Sequence, residues 1–137
     1  MKYQDERQYN RHQADGMRLY HEGAGHEAER QFLAALHDAR HSGIPDERLA
    51  LTLYQLAKLA QADGRFRDAE KYFEESLATE VHGLGPDHPY VAVVLRAFAA
   101  LLQREGRANE ATCLIARADD IWDGIAASQA SATAFSA

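Results

Sequence analysis

Apolar residues recur at helical spacing along most of the chain. Leu49, Leu53, Leu56 and Leu59 follow one another in steps of three and four, and Val91, Leu95, Phe98 and Leu102 repeat the stripe. A stripe of this period marks one face of an amphipathic helix. Each stripe is followed by a glycine, Gly64 or Gly106, and then by a second apolar face. That face is Phe66, Ala69, Phe73, Leu77 and Val81 after Gly64, and Ala111, Ile115, Ala118 and Trp122 after Gly106. Glycine at a helix end adopts the left-handed conformation at least cost, so each one reads as the turn of a helical hairpin. The pattern predicts six helices, near residues 4–22, 25–41, 46–62, 66–81, 89–105 and 108–126.

The hairpins are copies of one unit. Gly64-Arg65-Phe66-Arg67-Asp68-Ala69-Glu70-Lys71-Tyr72-Phe73 aligns with the segment starting at Gly106 at a spacing of 42, and with the segment starting at Gly23 at a spacing of 41. Residues 1–126 therefore form a single domain of three repeats, about 4–43, 44–85 and 86–126, followed by an Ala/Ser-rich tail, 127–137. Gly43 to Glu47 and Gly83 to Pro89 contain the three prolines. With Pro tolerated in a first turn and Asp a good N-cap, both read as loops that launch the next helix.

Ala57, Gly64, Phe66, Ala69 and Phe73 give the middle unit the pattern of a tetratricopeptide repeat, which it resembles. The ordinary repeat is about 34 residues; the excess of roughly eight is about two helical turns, which makes both helices about a turn longer. That length, with Gly85-Pro86-Asp87-His88-Pro89-Tyr90-Val91-Ala92 opening a unit and Ala69-Glu70-Lys71-Tyr72-Phe73-Glu74-Glu75-Ser76-Leu77 in a second helix, is similar to the kinesin-light-chain subgroup. The resemblance implies an all-α superhelical solenoid and a non-catalytic protein–protein interaction module, an adaptor or scaffold. Motor binding does not follow, because no heptad segment is present that would reach a heavy chain.

In that family the first helix of each hairpin lines the concave face. The resemblance therefore implies a partner groove of Asn10, Gln13, Met17 and Tyr20, then Leu51, Tyr54, Gln55, Lys58 and Gln61, then Arg96, Ala100, Gln103 and Arg104. Lys58, Arg96 and Arg104 point to an extended peptide with acidic residues and an apolar anchor. The other reading of these cations is that they are solvated or paired with nearby carboxylates. Gln13 and Met17 stand where relatives that clamp a terminal carboxylate need Lys and Asn, so that mode is excluded.

Composition agrees with helices: 26 alanines against 12 Val, Ile and Thr combined, helix formers over strand formers. A net charge of −6 argues against nucleic acid and anionic membranes as partners. The polar start and the absence of a long apolar run predict no signal peptide, no membrane span and a cytoplasmic protein. Twelve of fifteen basic residues are Arg, a bias of GC-rich bacterial genomes.

Chemistry is sparse. His37 and His41 have a metal-compatible spacing, but His near a helix C-terminus is expected from the dipole, and neither a metal site nor a cofactor is assigned. The single Cys113 is expected to pack, and Glu70, Glu74 and Glu75 to form a solvated face. No catalytic constellation is found, so the chain is read as no enzyme. The alternative function is a regulatory sensor, in which a short peptide or small metabolite shifts an oligomer equilibrium. The C-terminal end is read in two ways: Ile121, Trp122, Ile125 and the face of Leu101 and Leu102 are exposed and drive homodimerisation, or the last helix bends over that face with Phe135 as a plug.

Overall fold

A computed structural model describes the backbone of residues 2–136 and the side chains of residues 6–134. The helices are α1 (Lys2–His21), α2 (Gly25–Ser42), α3 (Asp46–Ala62), α4 (Phe66–Leu84), α5 (Pro89–Arg104) and α6 (Ala108–Ser136). All six expected helices are there, and no strand occurs among the described residues. α1 pairs with α2, α3 with α4 and α5 with α6, and the hairpins stack through α2 on α3 and α4 on α5. This is the expected α-α superhelix.

The three hairpin turns are the same turn. Gly64 takes φ 77°, with the Arg65 N–H donating to the Ala60 carbonyl at 2.9 Å and the Gly64 N–H to that of Gln61 at 3.1 Å. Arg107 and Gly106 repeat this pair on Leu102 and Gln103, and Ala24 and Gly23 repeat it on Leu19 and Tyr20. The double bond satisfies carbonyls that a helix end leaves open. Ala28, Ala69 and Ala111 then bury completely where each second helix crosses its partner. Around Ala69 the stacked rings of Phe73 and Phe98, 5.7 Å apart, join Ala57, Leu101 and Leu102 in one cluster. A second cluster sets Phe32 against Leu53 and Leu56.

Two caps and the ends of α4 and α6 differ from expectation. Pro45 and His88 are the N-caps, not the neighbouring aspartates; the His88 ring nitrogen accepts the Tyr90 N–H at 3.2 Å. α4 continues to Leu84 because Gly83 is a packing residue: a Cβ there would lie 2.7 Å from that of Asp46. The turn glycine is Gly85, φ 90°. α6 continues ten residues past the expected end at 126, since no Gly or Pro interrupts its Ala-rich stretch beyond Gly124; alanine has the highest helix propensity.

The C-terminal end also differs. Leu101 and Leu102 are buried in the cluster shared with the middle hairpin and Ile121 within the last hairpin, while Trp122 is 42% exposed and Ile125 half-buried. Residues 126–134 are exposed, and the Phe135 side chain lies outside the described residues. Arg96 pairs with Asp119 where the middle hairpin has Tyr54 and Leu77, which gives this end a polar face. Among the described residues no helix is long and apolar enough to cross a membrane.

Candidate functional site

Burial of Ala50, Leu53, Leu56, Ala57 and Ala60 turns Glu47, Leu51, Tyr54 and Lys58 onto the opposite face of α3. In the same way burial of Val91, Leu95, Phe98 and Leu102 leaves Tyr90, Val93, Ala97, Ala100 and Arg104 along the matching face of α5. Steps of three and four keep each set on one stripe. Between the stripes lies a pocket of about 480 Å³, walled by Leu51 and Tyr54 of α3 and by Tyr90, Val93 and Val94 of α5. Leu51, Tyr90 and Val93 are 45%, 58% and 46% exposed. They form an apolar surface that the fold itself does not cover.

Two carboxylates enter the same pocket, Glu47 from the first turn of α3 and Glu80 from α4. Glu80 follows Ala69, Phe73 and Ser76 on the buried stripe of α4 and is only 6% exposed. Its side chain makes no hydrogen bond or ion pair among the described residues. Burial, and then the charge of Glu47, push its carboxyl up to about 7. Arg48 also lines the pocket, but its guanidinium is turned to α1, 3.4 Å from both Glu6 Oε1 and Asn10 Oδ1.

The tetratricopeptide repeat family model matches residues 48–121, just over half of the chain, from the start of α3 into α6. The chain belongs to the tetratricopeptide repeat family. No curated protein matches it.

Not every groove residue expected from the sequence serves this tetratricopeptide face. Leu51 and Tyr54 line the pocket, Lys58 Nζ sits 5.6 Å above the Tyr54 ring, and the Arg104 guanidinium 5.7 Å from the Phe66 ring. Gln55 and Gln61 are half-buried, and Ala100 and Gln103 exposed. Arg96 is committed to Asp119 and is not a free groove cation. The first hairpin contributes less than expected. Met17 and Tyr20 pack against the Phe32 cluster, and Asn10 accepts from Arg48. The Tyr9 hydroxyl donates to the Arg48 carbonyl at 2.7 Å and lies 2.7 Å from Thr52 Oγ1, which is 2.9 Å from Gln13 Oε1. The Gln13 Nε2 is buried without a partner.

Glu47, Arg48, Glu80, Tyr90 and Val94 were missed as pocket residues. The signal for Glu80 was present, a carboxylate at heptad distance from Phe73 on an otherwise small and apolar stripe. Two further expectations change. Cys113 is exposed, and Glu70 and Glu75 are not merely solvated but pair with Arg107 and Arg40 of neighbouring hairpins. The His37 and His41 rings lie 4.2 Å apart, with His41 Nδ1 engaged by the His37 carbonyl at 2.8 Å. Among the described residues no three His, Cys, Asp or Glu side chains are grouped to hold a metal.

Proposed function

We propose that the protein is a non-catalytic adaptor that holds an extended peptide, or a segment of a helical protein, along the face shared by α3 and α5. The observation that carries this reading is the exposed trio Leu51, Tyr90 and Val93 around one pocket on rigid helices. A preorganised apolar pocket binds without the ordering cost that a flexible surface would incur. Lys58 and Arg104 lie toward the far ends of the same stripes, Lys58 eleven residues beyond Glu47. At 1.5 Å rise per residue that is about 16 Å, the span of roughly five extended residues. Acidic residues of the partner fall at that end, and an anchor side chain in the pocket. The long repeat supports the kinesin-light-chain-like subgroup, and the arginine bias a bacterial protein.

The pocket volume also lies in the range of small-ligand sites, which favours a second reading, a sensor whose oligomeric state shifts with a small ligand or short peptide. Self-association would use Trp122 and Ile125, the apolar side chains left accessible near the C-terminal end. Light scattering with and without ligand separates the two readings. The adaptor reading is tested by the double variant Leu51→Asp, Val93→Asp. Both side chains are about half exposed, so melting stays cooperative while peptide binding is lost. Unchanged binding would refute it.

A further inference from the structure

The pocket between α3 and α5 combines three features that an apolar anchor alone does not account for. Its walls are apolar, its floor carries the nearly buried and unpartnered carboxyl of Glu80, and a second carboxylate, Glu47, stands beside it. The one cation on its lining, Arg48, is spent on Glu6 and Asn10. A buried carboxylate with no partner is costly. A ligand that brings a positive charge on an apolar stem relieves that cost and covers Leu51, Tyr54 and Val93 in the same step.

Resting on the groove reading above, we infer that this pocket takes a lysine or arginine side chain of the partner peptide, its aliphatic stem against Leu51, Tyr54 and Val93 and its cation at the Glu80 and Glu47 carboxylates. The stem of a basic side chain covers apolar surface while its head keeps polar company, and hydrogen bonds to a charged acceptor are the stronger ones. The peptide then has a polarity: a basic anchor at the N-terminal ends of α3 and α5, and acidic residues about five positions away at Lys58 and Arg104.

The groups facing Glu80 are Glu47, Arg48 and Tyr54 from α3 and Tyr90 from α5, with His88 beside Tyr90 at the cap. A bound cation favours the ionised form of Glu80. With the free carboxyl raised to about 7, affinity climbs as the pH rises through neutrality, and a fraction of a proton is released on binding. Replacing Glu80 by Gln isolates this dependence from any due to His88.

The test uses three pools of N-acetylated, C-amidated nonapeptides with degenerate flanks and a fixed central residue: lysine, norleucine or glutamate. Binding is measured to the full chain and to Glu80→Gln, at pH 6 and pH 8. The lysine pool is expected to bind the wild type about tenfold more tightly than the norleucine pool at pH 8. That advantage shrinks at pH 6 and shrinks again in Glu80→Gln, which leaves only Glu47 to meet the cation. A norleucine pool that binds as tightly as the lysine pool overturns the basic anchor and leaves the groove reading standing. So does a lysine advantage that is undiminished in Glu80→Gln, which would reflect only the net charge of the protein. If none of the pools binds, the groove reading fails and this inference with it.

Discussion

Arg107 Nη1 donates to both carboxylate oxygens of Glu70, at 2.8 and 2.9 Å, and 42 residues earlier Arg65 Nη2 reaches Glu29 at 2.6 Å. The arginine just after Gly64 and after Gly106 thus ties the start of one hairpin's second helix to that of the hairpin before it. The guanidinium of Arg107 is held protonated still more firmly than usual by its hydrogen bonds to Glu110 and Glu70. Thr112 occupies the place of a third such glutamate in the last hairpin. The pair is a property of the junction between repeats.

Removing one junction pair should loosen the stack modestly. Arg65→Ala is expected to cost about 0.2–1 kcal/mol, the range of partly exposed pairs, and Glu29→Gln about the same. The double variant should cost less than the sum of the two in a thermal or urea denaturation cycle. Strict additivity would show that the pair contributes no coupling.

Gly16 gives a sign opposite to the ordinary rule. Glycine to alanine inside a helix usually stabilises by up to about 1 kcal/mol. Here the added Cβ would lie 2.7 Å from the Phe32 ring, which is itself fully buried. Gly16→Ala should therefore destabilise the protein by about 1–3 kcal/mol, the cost of overpacking. Chemical denaturation measures it, and a gain in stability would contradict the tight α1–α2 crossing.

The carboxyl of Glu80 links stability to pH. Folded, it titrates at about 7, against an ordinary value of 4.5. Between those values the folded state binds more protons, so its stability falls as the pH rises through the window and stays low above it. Glu80→Gln mimics the protonated form. It should match the wild type near pH 5 and exceed it at pH 8 by about 1–3 kcal/mol, the penalty of a buried group without a partner. An equal gap at both pH values would mean that Glu80 is ionised throughout.

The repeat made most of the fold legible in the sequence. Turn glycines, buried alanines and apolar stripes recur together, so local and long-range signals agree on three hairpins. The boundaries that differed were those where one residue type serves two physical roles. Gly83 was read as a terminator but is a contact residue against Asp46, and alanines past 126 were read as a tail but prolong α6.

The groove was legible only in part, because the helical period places Leu51, Tyr54, Lys58 and Arg104 on a face but does not say which charges meet. The pairing of Arg96 with Asp119, and the turn of Arg48 toward α1, depend on side chains 23 residues away in one case and across a hairpin junction in the other. A charge reversal at Arg96 would consequently act first on the α5–α6 hairpin, by setting Glu against Asp119. Glu80 comes from a second helix, outside the face from which the groove was read.

The most direct test of the peptide-binding account is a residue-resolved 15N chemical-shift map of the full chain titrated with the degenerate lysine-centred peptides. Saturable shifts are expected at Leu51, Tyr54, Lys58, Tyr90, Val93 and Arg104, with the outer face of α2 around His37 and Arg40 unmoved. Shifts concentrated on α6 around Trp122, or none that saturate, would contradict it.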